Sequence, residues 1–391
     1  MSMKEKHPVI TGFGIVCCLG RNKDEVKENL MKGQTMFRPV SDKCDLGQLN
    51  DYLVGLCPVD EPAVNTANDY DKSEIMIRMT ADEAFKDAGF DGDFSAFEER
   101  AAVSLATSLM GSEYLVKYSE KNSSDAKWLI NSKKYATKLA KEWNIGGEVY
   151  TTSSACASGS AAVGIAADLI KSDTCDVVLC GGSDFISEIS LNGFDILQTL
   201  SHGSCKPFDN ARDGINIGEG SAFFVIEEYS RAVKHGAKIY GEIKGCGLAN
   251  DAYHITSPDP SGAGAYHAMK AALGGDIPEN IYINAHGTGT SANDAMELKA
   301  VRDYFSGKNV YMSSTKSLTG HCLGAAGSIE LAFSLMFLDD GRIRPTANSR
   351  YDLVDDDNIT DKMNENETFT GILSNSFAFG GNDASLYIVK A

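Results

Sequence analysis

Four short stretches of this 391-residue chain hold side chains that could do covalent chemistry. The first is Thr151-Thr-Ser-Ser-Ala-Cys156-Ala-Ser-Gly-Ser160, a polar run that drops into one cysteine and then into small residues, Ala161, Ala162, Gly164, Ala166 and Ala167. It predicts a strand-to-helix turn with Cys156 at the start of a tightly packed helix. Unpaired backbone N–H groups and the helix dipole would there favour the thiolate. The second is Asn284-Ala-His286-Gly-Thr288-Gly-Thr290, a strand running into a glycine-threonine loop that would expose His286. The third, Ser313 to Gly327, sets His321 at a helix start with Lys316 five residues before it. The fourth is Asn375-Ser-Phe377-Ala378-Phe379-Gly380-Gly381, a turn whose backbone N–H groups could face an oxyanion. Singly, each has a plain structural explanation: a buried cysteine, a hydrogen-bonded core histidine, a solvated lysine, a packed turn. Together they supply a thiol nucleophile and donors for developing negative charge, which is the kit for acyl transfer through a thioester.

The elements that must position these groups alternate between strand and helix. Val9–Val16, Ala101–Thr107, Asp176–Cys180 and Ser221–Ile226 read as buried strands, with helices over Lys23–Leu30 and Lys72–Ala88 and over 184–200. Residues 40–70 are irregular, and 112–143 form a polar, lysine-bearing surface insertion. The second part echoes the first. Lys238–Gly247 repeats the strand-into-glycine-turn pattern of Val9–Gly14. The His321 stretch repeats the layout around Cys156, and Gly380–Ile388 rhymes with Gly218–Ile226. Three echoes in the same order predict a duplicated α/β fold, divided into halves 1–235 and 236–391.

Composition narrows the function. Hydrophobic residues make up 43% of the chain, enough for a full core, and the net charge of −18 argues against nucleic acid and anionic membranes as partners. No apolar run is long enough to span a bilayer, and Met1-Ser-Met-Lys-Glu-Lys-His-Pro has no signal-peptide pattern. Ten cysteines lack disulfide-framework or zinc spacing, so a cytoplasmic protein without a metal is expected.

At this point the chain resembles a family: the β-ketoacyl-[acyl-carrier-protein] synthases of the elongating type, within the thiolase-fold condensing enzymes. The resemblance rests on Val9-Ile-Thr-Gly-Phe-Gly, Ser153-Ser-Ala-Cys156-Ala-Ser-Gly, Lys206-Pro-Phe-Asp-Asn-Ala-Arg-Asp-Gly214, Asn250-Asp-Ala-Tyr-His-Ile-Thr-Ser-Pro258, Ala285-His-Gly-Thr-Gly-Thr290, Ser314-Thr-Lys-Ser-Leu-Thr-Gly-His321 and Asn375-Ser-Phe-Ala-Phe-Gly-Gly381, in that order. It implies an α/β thiolase fold whose duplicated halves form five layers, αβαβα. It implies decarboxylative condensation of a malonyl thioester with an acyl chain held on Cys156, in fatty acid or specialised polyketide synthesis. His286 and His321 would hold the malonyl carbonyl, and Lys316 and Glu330 would orient and tune them. Backbone N–H groups of Cys156 and Phe379 would form an oxyanion hole, with Phe379 as a gate. Asp294 and Glu297 would be mainly structural. Thr256, Thr288 and Thr290 would line the phosphopantetheine tunnel, and Met110 would limit the depth of the acyl pocket. No cofactor is implied beyond the phosphopantetheine carried by acyl carrier protein. A homodimer is implied, with a heterodimer as the variant form.

Two departures stand out. Ala378 replaces the family's usual glycine, which predicts a stiffer gate. Asn382-Asp383 replaces the usual Thr-Asn and adds a carboxylate near the site. The variant turn is similar to that of ketosynthases of specialised pathways such as aryl polyene assembly. Because acyl carrier proteins are acidic and this chain is too, docking would need a local basic patch. Lys206, Lys133 and Lys134 lead the candidates, followed by Lys72, Arg78, Lys138 and Arg212. A degradative thiolase would carry a second cysteine where Phe379-Gly-Gly stands, an initiating synthase would show a Cys-His-Asn set, and an inactive chain-length-factor partner would lack Cys156.

Overall fold

The computed structural model describes residues 6–60, 71–112, 131–275, 277–356, 358–363 and 367–391. Parts of the irregular 40–70 stretch and of the 112–143 insertion lie outside these residues. The N-terminal half builds strands β1 (Pro8–Cys17), β2 (Ala101–Ala106), β3 (Val149–Thr152), β4 (Val177–Asp184) and β5 (Gly220–Glu228). The C-terminal half builds β6 (Gly241–Asn250), β7 (Ile281–Asn284), β8 (Val310–Ser313), β9 (Gly371–Ala378) and β10 (Asn382–Val389).

The duplication expected from the motif echoes is explicit in the topology. The N-terminal sheet runs β1-β5-β4-β2-β3 and the C-terminal sheet β6-β10-β9-β7-β8, the same order by rank in chain. In each, the first three strands pair antiparallel and the last three parallel. A short Ile359–Thr360 strand extends the second sheet beyond β8. The two sheets join edge to edge where Val9 and Ile10 of β1 pair with Glu242 and Gly241 of β6.

Between the sheets lie two helices, Ser158–Lys171 and Ala326–Asp340. Ala326–Leu338 is buried on every side, as an apolar helix inside two sheets must be. The two helices touch through reciprocal glycines. A Cβ on Gly159 would fall 2.6 Å from the Ser328 nitrogen, and one on Gly327 would fall 2.8 Å from the Ser160 nitrogen. The small-residue pattern after Cys156 therefore serves helix crossing. Outer helices Lys72–Asp87 and Ala263–Leu273 cover β1 and β6.

The sequence expectation of strands ending in glycine turns at Gly14 and Gly247 is corrected here. Both strands run straight through these glycines. A Cβ on Gly14 would fall 2.1 Å from Thr80 O and one on Gly247 1.9 Å from Ala268 O. The glycines are there because an outer helix lies against the strand backbone. The helix expected over 184–200 is confined to Glu188–Ile196, since Gly181–Asp184 belong to β4.

Candidate active site

A cavity of about 280 Å³ opens where the C-terminal ends of the parallel strands meet, and Cys156, His286, His321 and Phe379 all line it. Thr256, Thr288 and Thr290 line it as well. Motifs spread over more than two hundred residues of chain thus converge on one space.

Cys156 sits on a sharp elbow. Ala155 before it has φ 50°, a left-handed conformation that is strained for a residue with a Cβ. Three contacts hold the elbow. The Ser158 hydroxyl donates to Ala155 O at 2.6 Å and accepts from the Ser154 N–H at 2.8 Å, and the Ser108 hydroxyl donates to Ala155 O at 2.9 Å. The helix itself begins at Ser158, two residues after the cysteine. This corrects the expectation of a resting thiolate. Burial pushes the Cys156 thiol up to about 12, Lys316 only partly pulls it back, and Asp184 and Glu330 add to the rise. The thiol is 8% exposed, and desolvation outweighs the helix start.

His286 emerges from β7 into a loop held by carboxylates. Glu297 accepts from the backbone N–H of His286 at 2.9 Å, from that of Gly287 at 2.7 Å and from the Asn375 amide at 3.3 Å. Asp294 accepts from Gly289 at 3.1 Å and from Phe208 at 2.9 Å. Burial raises both acids, Glu297 to about 7. They bind backbone N–H groups and neighbouring side chains, and neither lines the cavity.

Lys316, 1% exposed, begins the short helix Lys316–Thr319 and reaches back into the core. Its ammonium lies 2.5 Å from Glu330 Oε1 and 3.2 Å from His286 Nδ1. An ammonium has donors only, so His286 Nδ1 accepts and the ring's proton sits on Nε2. His321 stands edge-on to His286, with ring centroids 5.2 Å apart. It lies in the turn after that short helix, two residues before the 3-10 turn Leu323–Ala325 that leads straight into the helix Ala326–Asp340. Its backbone N–H donates to Asn216 O at 2.7 Å, and its Nδ1 has no partner among the described residues. Burial, reinforced by Lys316, holds both imidazoles well below their usual range, so both are neutral. Burial likewise raises Glu330 to about 7, opposed by Lys316.

Ala378 is extended, with φ −125° and ψ 160°, a conformation open to any residue. Its Cβ therefore strains nothing here, and the positive φ values fall on Gly380 and Gly381. Phe379 packs on Phe194 at 5.7 Å between ring centroids. Met110 lies in the core with Leu105 and Tyr135 and is not among the cavity-lining residues.

Of the basic candidates, most are engaged. Lys134 pairs with Asp71, Lys72 with Glu219, Arg78 with Glu142 and Lys138 with Glu74. Arg212 donates to the carbonyls of Asp209, Thr290 and Ser291. Exposed Lys133 and half-buried Lys206 form no ion pair among the described residues.

One residue escaped sequence reasoning. Asp184, fully buried at the end of β4, accepts from the Thr107 hydroxyl at 2.6 Å and from the N–H groups of Ser108, Leu109 and Gly324 at 2.9, 3.0 and 2.7 Å. It ties the Ser108 loop, which braces the Cys156 elbow, to the turn after His321. A carboxylate ending an otherwise apolar strand was the available signal. Among the described residues no cluster of His, Cys, Asp or Glu could hold a metal ion, and no helix is long and apolar enough to cross a membrane.

Comparison with known proteins places this architecture. The family model for the β-ketoacyl synthase N-terminal domain matches residues 6–232, and that for the C-terminal domain matches residues 240–350. The 3-oxoacyl-[acyl-carrier-protein] synthase 1 of Haemophilus influenzae is 33% identical, over 97% of this chain and 98% of that one. The 3-oxoacyl-[acyl-carrier-protein] synthase 2 of Staphylococcus aureus is 33% identical over 99% of each. Among solved structures, the ishigamide ketosynthase/chain length factor superposes with a TM-score of 0.86 at 27% identity, covering 99% of this chain and 100% of that one. A ketosynthase in complex with its chain length factor from Xenorhabdus doucetiae superposes with a TM-score of 0.83 at 29% identity, covering 99% and 98%. The chain belongs to the β-ketoacyl synthase family of thiolase-fold acyltransferases.

Proposed function

We propose that this condensing enzyme, a 3-oxoacyl-[acyl-carrier-protein] synthase, carries its acyl chain on Cys156 and activates the malonyl unit with His286 and His321. The observation that carries this reading is the meeting of Cys156 and two neutral imidazoles on one cavity, with Lys316 fixing the tautomer of His286. In the first half-reaction the Cys156 sulfur attacks the acyl thioester carbonyl, and the proton it loses ends on the departing pantetheine sulfur. In the second, the malonyl thioester loses carbon dioxide. The electron pair left behind becomes an enolate whose oxygen accepts hydrogen bonds from the histidines. That carbon attacks the acyl-Cys156 carbonyl, the sulfur leaves, and the 3-oxoacyl product is two carbons longer.

Neutral donors suit this task. An imidazolium would bind malonyl carboxylate and enolate alike and would favour the ground state as much as the transition state. Phosphopantetheine arrives on acyl carrier protein, which docks at Lys206 and Lys133. The enzyme works as a dimer, with itself or with a ketosynthase-like partner. All ten cysteines are free, which supports a reducing compartment such as the cytoplasm. The test is an elongation assay with malonyl carrier protein and acyl primers of graded length, with Cys156→Ala as control. Elongation by the variant at the wild-type rate overturns the assignment.

A further inference from the structure

Two carboxylates meet beside the cavity with no cation against them. Asp251 follows β6, Asp383 is the second residue of β10, and both line the cavity. Asp383 is 3% exposed. Asp251 Oδ2 accepts the Asp259 N–H at 2.9 Å. The facing oxygens, Asp251 Oδ1 and Asp383 Oδ2, are buried and have no donor among the described residues. Both lie within 2.3 Å of the point where a Cβ on Gly264 would sit, so they share the bare face of that glycine. The two oxygens therefore face each other across that point, and two buried carboxyl groups so placed can hydrogen-bond to each other only if one keeps a proton.

The surroundings favour that shared proton. Glu297 adds further negative charge from the helix Ser291–Tyr304. Asp259 contributes only its backbone N–H. Arg212, Asp213 and His286 line the same cavity, and the Arg212 guanidinium is taken up by backbone carbonyls and by Asp294 at 3.8 Å. No lysine, arginine or histidine pairs with either carboxyl among the described residues. Burial and the neighbouring Asp251 push Asp383 up to about 8.

The pair also bridges two segments. Asp383 follows the Phe379 turn, whose hinge is Gly380 and Gly381, with φ 80° and 68°. Asp251 begins the segment that runs to Asp259. Backbone bonds already tie the two, from Gly380 N–H to Ile255 O at 2.7 Å and from Asp251 N–H to Gly381 O at 2.9 Å. We propose that Asp251 and Asp383 share one proton and latch the Phe379 turn to the 251–259 segment, forming a positioning pair that sets access to Cys156. The consequence for substrate rests on Cys156 being the acylated residue; the latch itself does not. Loss of the proton to solvent leaves two facing carboxylates, which repel and release the turn.

The test is the rate of Cys156 alkylation by iodoacetamide, read by peptide mass spectrometry across the alkaline range, in the wild type and in Asp383→Asn. The asparagine amide donates to Asp251 at any pH, so the variant stays latched. Thiol ionisation is common to both proteins and cancels in the ratio of wild-type to variant rate. That ratio is expected to rise severalfold through about pH 8, by no more than about tenfold per pH unit, because one proton is released. A ratio that stays flat overturns the latch. Asp251→Asn removes the pair from the other side and must flatten the wild-type transition in the same way, which covers a poorly folded Asp383→Asn. Failure of acyl carrier protein to acylate wild-type Cys156 would instead overturn the condensation reading and leave the alkylation ratio intact.

Discussion

Replacing Lys316 by methionine removes the charge that sets the state of His286 while keeping the stem's volume. In the folded protein that ammonium lies 3.2 Å from His286 Nδ1 and 2.5 Å from Glu330 Oε1, at 1% exposure. At that separation and an effective dielectric near 20, a lysine cation and an imidazolium would repel by about 5 kcal/mol. A Glu330 carboxylate behind the lysine offsets part of this. Together with burial, the remainder keeps the ring neutral, and the ammonium keeps its proton on Nε2. In Lys316→Met the repulsion vanishes, both tautomers become available, and His286 binds a second proton more readily. Glu330 takes a proton as well, since an unpaired buried carboxylate would cost about 3–5 kcal/mol. The assay is malonyl-carrier decarboxylation against pH, with carbon dioxide release as readout. The acid limb of the variant's profile is expected to lie at higher pH than the wild type's, by about one unit for each 1.4 kcal/mol of repulsion removed. Lys316→Arg, which also only donates, should keep the wild-type profile shape. A Lys316→Met profile superimposable on the wild type would refute this account of Lys316.

Glu297→Ala strands the N–H groups of His286 and Gly287 and the Asn375 amide, a loss of about 3 kcal/mol or more. A clear drop in melting temperature together with loss of condensation is expected in calorimetry and assay. Lys206→Glu with Lys133→Glu should raise KM for carrier-bound substrates about fivefold and leave kcat unchanged, because exposed charges mainly steer encounter. Free pantetheine thioesters should be unaffected. Stability should be highest at mildly acidic pH and fall toward alkaline pH. Asp184, Glu297, Glu330 and Asp383 have folded values raised from the ordinary 3.8 or 4.5 to about 6, 7, 7 and 8, so their contribution is full below the ordinary values and is lost as pH rises from there through the folded values. His286 and His321 have lowered folded values, so theirs is lost as pH falls below the ordinary 6.5. Melting temperatures measured from about pH 5 to about pH 9 check both limbs.

Much of this was legible in the chain itself. Val9–Val16 announces itself as a strand by its apolar run, and the order of motif echoes foretells the matching strand orders of the two halves. Local signals read less well where their cause lies elsewhere. Gly14 and Gly247 look like turns, because the helices that lie against them are distant in sequence. Cys156 looks activated, because a helix start is visible in sequence and complete burial is not. Lys316 looks like a neighbour of His321, five residues on. The chain reverses after it, and its ammonium reaches His286, thirty residues back. Asp184 and the pairing of Asp383 with Asp251 were not foreseen for the same reason: a carboxylate's role is set by donors and partners that only the folded chain brings near.

The central claim is that the acyl group resides on Cys156. It is tested most directly by incubating the full-length protein with acyl carrier protein bearing a labelled acyl chain, without malonyl donor, and mapping the label by peptide mass spectrometry. The account predicts one acyl group per chain, on the Cys156 peptide, absent in Cys156→Ala. Label on Cys322 or another of the ten cysteines, or its retention in Cys156→Ala, would contradict it.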